Sequence, residues 1–177
     1  MNEHWGRSLW YLIHTITYNY SKRPSEYEKY VYYKFFSYIP DLILCKYCKR
    51  HYYTFISRVD IKLHINKKTD LINYFISLHN SINLRLKKKN ISRSEANSLY
   101  EKCNTEYILK YIKTIFFMNK NKYKQFIKLL ILVFPNKSFS SKLISHNIFK
   151  LIDDKKIKSN DFIESIVDTI NNIYELK

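Results

Sequence analysis

Glycine is nearly missing from this chain: Gly6 stands alone among 177 residues, and proline occurs three times. Tight hairpin turns and phosphate-cradling loops need the positive φ that glycine supplies, so hairpin-rich β folds and Gly-rich nucleotide folds have little to be built from. An all-α chain is the expectation. Cysteine is scarce too, with Cys45, Cys48 and Cys103 the full complement, which excludes a disulfide-stapled secreted scaffold. The longest apolar run, Leu129 to Phe134, falls far short of the roughly 20 residues a bilayer span requires. No basic segment followed by an unbroken apolar stretch opens the chain, so a secretory signal is not expected and the protein reads as soluble and cytosolic. Acidic side chains number 15 against 31 basic ones, a formal net charge of +16. Such a charge implies an anionic partner or a heavily solvated surface. Lysine and asparagine are scattered through every segment, which favours the solvated surface and leaves nucleic-acid binding as an alternative.

What the chain does have is helical periodicity. Leu9, Leu12, Ile13, Ile16 and Tyr20 recur at helical spacing over about 6–20, with Arg7, Trp10 and His14 on an adjacent stripe. Ser25 and Glu28 form a capping-box start for a second helix, whose Tyr32, Phe35, Phe36 and Ile39 point inward until Pro40 interrupts it. A loop from Pro40 to Leu44 then delivers Cys45-Lys46-Tyr47-Cys48, and a third helix follows to about Ser57, with both cysteines in its first turn. The positive end of the helix dipole there lowers a thiol pKa. Thr69 is the expected cap of a fourth helix with Leu71, Phe75, Leu78, Ile82 and Leu86 on one face and the polar pair His79 and Asn83 beside it. Ser92 and Glu95 open a short helix to about Lys102, and four further windows follow at 105–117, 123–134, 141–151 and 160–174. The length suits one sizeable core, or a compact domain with a helical extension.

A CxxC by itself is either a redox dithiol or half of a metal site. His51, three residues beyond Cys48, would complete a zinc site together with Cys103. Zinc, however, leaves the arrangement of Trp10, His14, His79 and Asn83 without a purpose, and no metal is expected.

Three segments in order carry a resemblance: Gly6-Arg7-Ser8-x-Trp10-x-x-x-His14-Thr15, then Cys45-x-x-Cys48, then His79-Asn80-x-Ile82-Asn83-x-x-Leu86-x-Lys88. Together they resemble the Erv/ALR family of FAD-linked sulfhydryl oxidases, in particular the forms carried by large DNA viruses. The resemblance implies a four-helix bundle with a short fifth helix, binding FAD without a covalent bond and often dimeric. By matching position it implies FAD contacts from Arg7, Ser8, Trp10, His14, His79, Asn80, Ile82, Asn83, Leu86 and Lys88. Those residue types suit a flavin dinucleotide, with rings to stack on rings, amides for hydrogen bonds, and cations for the pyrophosphate. It further implies that a substrate thiolate attacks Cys45, that Cys48 lies against the flavin and passes two electrons to FAD, and that oxygen is the final acceptor, giving hydrogen peroxide. Lys46, Lys49 and Arg50 would favour thiolates and acidic substrates.

The chain departs from the family in places. Leu44 replaces a proline often found before the first cysteine, Ser77 replaces a structural cysteine of cellular members, and no second CxxC serves as a shuttle. No tryptophan follows Trp10, so Tyr100 is assigned the place of the late aromatic near the flavin. Residues 1–103 are read as the FAD-binding oxidase domain and 104–177 as a helical C-terminal region without assigned chemistry, with Cys103 a free thiol. The expected partners are protein dithiols or a thioredoxin-like relay protein, oxygen, and a second copy of the chain, with no membrane span. The expected setting is the host cytoplasm or the virion of a large DNA virus. A basic helical binding protein that keeps the fold without turnover is the competing class.

Overall fold

A computed structural model describes residues 4–102, 123–134 and 141 of the chain. Six helices follow one another within them: α1 (His4–Tyr18), α2 (Glu26–Tyr38), α3 (Lys46–Arg58), α4 (Lys68–Arg85), α5 (Arg93–Tyr100) and α6 (Tyr123–Val133). The described residues contain no strand, as the shortage of glycine predicted. The predicted helix at 123–134 corresponds to α6; those at 105–117, 141–151 and 160–174 lie outside the described residues apart from Ser141, and Cys103 lies outside them as well.

The helix starts show which local signals prevailed. Ser25 caps α2 by accepting the Glu28 N–H at 3.1 Å. At α5 the full reciprocal box forms, with Ser92 accepting from the Glu95 amide at 3.1 Å and Glu95 accepting from the Ser92 amide at 2.7 Å. Thr69 does not cap α4. Capping needs extended backbone, and that conformation falls on Lys67 (φ −135°, ψ 137°), leaving Thr69 inside the helix with its hydroxyl donating to Asp70. Helix α2 ends just before Pro40 as expected, but Pro40 itself lies within a short 3₁₀ turn, Ile39–Leu42, before the chain reaches Cys45. Helix α4 ends in a Schellman motif: the Lys88 amide donates to Asn83 O (2.8 Å), the Lys87 amide donates to Leu84 O (3.1 Å), and Lys87 adopts φ 54°. Leu86, expected on the buried face, therefore sits at the cap and is largely exposed.

Helix α1 packs on α4 and α5, α3 packs on α4, and α2 is covered by α6. The main core joins Leu12, Ile16, Phe35, Phe36, Phe75 and Leu78 with Phe126 and Leu130 of α6. Phe36 lies 4.2 Å from Phe75 and 5.2 Å from Phe35, and Phe35 lies 5.7 Å from Phe126, measured between ring centroids. Buried tyrosines fasten one element to another through their hydroxyls: Tyr20 donates to Ile65 O (2.8 Å), Tyr52 to Phe36 O (3.0 Å), Tyr74 to Val59 O (2.9 Å) and Tyr32 to Val133 O (3.5 Å). Full burial of a Leu or Phe side chain contributes about 1.5–3 kcal/mol against roughly 1 for a net hydrogen bond. Apolar packing thus supplies the stability, and the tyrosine hydroxyls choose the register.

Candidate functional site

Trp10 and His14 sit one turn apart on α1, and α4 lies alongside them, bringing His79 between the two. The Trp10 indole and the His79 imidazole stack with centroids 4.0 Å apart and planes 6° from parallel. His14 Nε2 and His79 Nδ1 share a proton across 2.9 Å. On its other side His14 stacks on Tyr100 of α5 at 4.5 Å and 17°. The result is one column of rings, Trp10, His79, His14 and Tyr100, that ties α1, α4 and α5 together.

Burial governs the charge of this column. His14 is fully enclosed, and burial first, then the neighbouring His79, hold its pKa well below the usual histidine range. His79 is lowered to about 4, by burial first and then by the Lys88 ammonium. Both rings are therefore neutral near pH 7. Within the described residues His14 Nδ1 and the Thr15 hydroxyl are buried without a hydrogen-bond partner. Orphaned buried N–H donors are rarer than orphaned acceptors, so the shared proton is assigned to His14 Nε2, which leaves Nδ1 a bare acceptor and puts the His79 proton on Nε2.

A histidine with a lowered native pKa leaves the unfolded state holding more protons between the native and the unfolded value. Its contribution is complete above about pH 6.5 and falls as the pH drops from there toward 4. His79 alone is expected to remove about 2 kcal/mol of stability between pH 7 and pH 5. Urea unfolding at the two pH values measures it: the difference should shrink in His79→Gln, and an unchanged difference in that variant would refute the assignment.

The remaining sequence-predicted residues take varied positions. Asn80 clamps Ile91, donating to its carbonyl (2.9 Å) and accepting its amide (2.8 Å), which leaves one N–H and one lone pair of the side chain for a further partner. Asn83 donates to Lys89 O at 3.1 Å. Ser8 and Ile82 are buried, whereas Arg7, Leu86 and Lys88 are exposed.

Cys45 and Cys48 are joined in a disulfide with Cα atoms 5.2 Å apart. Cys45 is the residue that caps α3, so only Cys48 lies within the helix, and Cys45 Sγ accepts the Cys48 amide at 3.2 Å. A thiol or thiolate can take this role because the helix start offers free N–H groups. Lys46 and Arg50 are exposed, and Lys49 is held by Asp41 at 3.1 Å. A shallow open groove of ≈ 700 Å³ lined by Lys46, Lys49, Arg50, Tyr53 and Ile56 follows α3 away from Cys45.

Helices α3 and α4 run antiparallel and meet in rungs. Phe55 packs on Tyr74 at 5.3 Å, His51 Nε2 meets Ser81 Oγ at 3.0 Å, and the Arg85 guanidinium lies 3.9 Å from Cys48 Sγ. Helix α4 thus serves two neighbours: His79 faces α1 and the ring column, while Ser81 and Arg85 face α3 and the disulfide. Sequence reasoning missed Ser81 and Arg85, which occupy unspecified positions of the third motif. Their spacing, four apart on α4 against Cys48 and His51 three apart on α3, was the available signal. His51, considered for zinc together with Cys103, meets Ser81 Oγ; Cys103 lies outside the described residues, and among those residues no group of three His, Cys, Asp or Glu side chains is placed to hold a metal ion.

Comparison with known proteins gives a consistent picture. Residues 7–103 match the Erv1 / Alr family. A protein of Invertebrate iridescent virus 3 assigned as FAD-linked sulfhydryl oxidase 096R is 30% identical over 88 residues, covering 50% of this chain and 60% of its own length. The FAD-linked sulfhydryl oxidase of an African swine fever virus isolate is 30% identical over 98 residues, covering 55% of this chain and 81% of its own. A protein of Acanthamoeba polyphaga mimivirus assigned to the same activity, R368, is 27% identical over 104 residues, covering 58% and 73% respectively. The chain thus spans less than two thirds of the iridescent-virus protein. No solved structure matches it significantly.

Proposed function

Because the chain belongs to the Erv1/Alr family, we propose that it is an FAD-dependent sulfhydryl oxidase that forms disulfides in protein substrates, converting two thiols and oxygen into a disulfide and hydrogen peroxide. The observation that carries the reading is the Cys45–Cys48 disulfide held against α4, the helix that also contributes His79 to the ring column. The residues suit FAD. Trp10, His14, His79 and Tyr100 offer flat rings for stacking, the bare His14 Nδ1 and the Thr15 hydroxyl are buried groups in need of a partner, and Arg7 and Lys88 supply cations suited to a pyrophosphate. When bound, FAD supplies an acceptor for the two electrons and hands them to oxygen.

The chain's own chemistry is thiol exchange. A substrate thiolate attacks Cys45 Sγ, the Cys45–Cys48 bond breaks, and its electron pair stays on Cys48. A second thiolate of the substrate then attacks the substrate sulfur of the mixed disulfide, and Cys45 departs as a thiolate, leaving the substrate oxidised. Lys46, next to Cys45 in sequence, and Arg50 further along α3 are exposed cations that favour the thiolate form of an incoming substrate. With no second CxxC in the sequence, substrates reach Cys45 directly or through a thioredoxin-like relay. Residues 1–103 would form the FAD-binding unit, followed by the helical region 104–177. We place the activity in the host cytoplasm or the virion, and the working form is a homodimer.

The visible spectrum of the purified protein tests the reading. Flavin absorption bands, present on isolation or gained on adding FAD, are expected together with oxygen consumption in the presence of dithiothreitol. A colourless protein that takes up no FAD would refute it. The net charge of +16 favours a basic binding protein as the second reading, which strongly salt-dependent nucleic-acid binding without peroxide production would support.

A further inference from the structure

We propose that Arg85 is a catalytic residue that holds Cys48 as a thiolate once the disulfide opens. The inference rests on the oxidase reading only for its place in turnover; the pairing itself is a property of α3 and α4. The guanidinium reaches Cys48 Sγ at 3.9 Å. Its position is built in by the antiparallel packing, in which the Phe55–Tyr74 and His51–Ser81 rungs align the last turn of α4 with the first turn of α3. A cation in that last turn is also favoured by the dipole of α4.

The start of α3 acting alone would favour the wrong sulfur. Cys45 Sγ accepts the Cys48 amide at 3.2 Å at the positive end of the helix, so negative charge is stabilised on Cys45, which amounts to attack at Cys48. In the productive sequence the substrate thiolate bonds to Cys45 Sγ, the disulfide breaks, and the electron pair comes to rest on Cys48 Sγ. A thiol of lower pKa leaves faster, and Arg85 gives Cys48 that property against the pull of the helix start. The other charged or titratable groups nearby are accounted for. Lys49 is held by Asp41, and the His51 ring is bonded to Ser81 with its pKa lowered by burial first and by Arg85 second. Lys46 and Arg50 are exposed on α3 itself.

The test uses the full chain carrying Cys45→Ser and Cys103→Ser, so that Cys48 is the one thiol; serine is itself a good helix cap, which preserves the start of α3. The rate of alkylation by iodoacetamide, followed against pH, reports the Cys48 thiolate. Adding Arg85→Met is expected to raise the midpoint by about one unit, Arg85→Lys to keep most of the lowering, and high salt to narrow the gap between arginine and methionine. An Arg85→Met midpoint equal to that of the arginine form, with circular dichroism showing both folded, would overturn the proposal. So would a lysine variant that behaves like methionine. The measurement needs no bound flavin, so the two readings fail separately: a colourless protein with the shift loses only the oxidase reading, and an active flavoprotein without it loses only the role of Arg85.

Discussion

Replacing either Cys45 or Cys48 with serine is expected to lower thiol oxidation by at least about a thousandfold, because the two sulfurs act as a unit and neither can form the disulfide alone. The two variants should then differ in a way that identifies their roles. With Cys45 gone, no sulfur remains at the half-exposed cap of α3 for a substrate to attack, and Cys48 is left beside Arg85 as a free thiol. With Cys48 gone, Cys45 can still be captured in a mixed disulfide by an oxidised partner, but α3 no longer holds a sulfur beside it to displace that partner. Oxygen uptake with dithiothreitol measures the loss, and mass spectrometry after exposure to oxidised glutathione, in variants that also carry Cys103→Ser, reads out the adduct. Full turnover in either variant would remove the assigned mechanism. Flavin binding should survive in both, since the ring column belongs to α1, α4 and α5 and not to α3.

The second large effect concerns stability. Phe36→Ala should cost about 3–5 kcal/mol, the range for emptying a packed aromatic site. Phe36 is buried against Phe75 of α4 and Phe35 of its own helix, while its carbonyl receives the Tyr52 hydroxyl of α3. The cavity would therefore open where three helices meet, with little freedom to collapse. Set against a total stability of about 5–15 kcal/mol, such a loss removes a large share, and a fall in melting temperature of about 10 °C follows from roughly 2–4 °C per kcal/mol for a chain of this size. Thermal unfolding measures it, with Leu84→Ala as the comparison because Leu84 is 74% exposed. Equal melting temperatures for the two variants would contradict the core described above.

Much of this architecture was legible in the sequence because it rests on local rules. The glycine shortage excluded hairpins, Ser25 and Ser92 marked two helix starts, and Pro40 marked the end of α2. Thr69 misled because any residue with a capping side chain near a helix start looks alike in sequence, whereas the backbone dihedrals, which only the packed chain fixes, gave the position to Lys67. Motif position singled out His14 and His79 one by one, but neither their pairing nor its chemistry. Neutral rings sharing one proton arise from burial, which depends on how α1 meets α4. Arg85 was invisible for a similar reason: within α4 it is one more basic residue near a C-terminus, and it acquires meaning only through the register of α4 against α3.

The family match ends at residue 103, and the core does not. Phe126 shields Phe35, and the Val133 carbonyl receives the Tyr32 hydroxyl, so α6 closes over a face of α2 that would otherwise meet water. A face closed in this way gives α2 and α6 a shared unfolding fate, since neither can leave without wetting the other. Helix α2 in turn reaches the cysteine-bearing helix through the Tyr52 hydroxyl on Phe36 O. Cooperativity in this protein therefore runs beyond the segment that the family match covers.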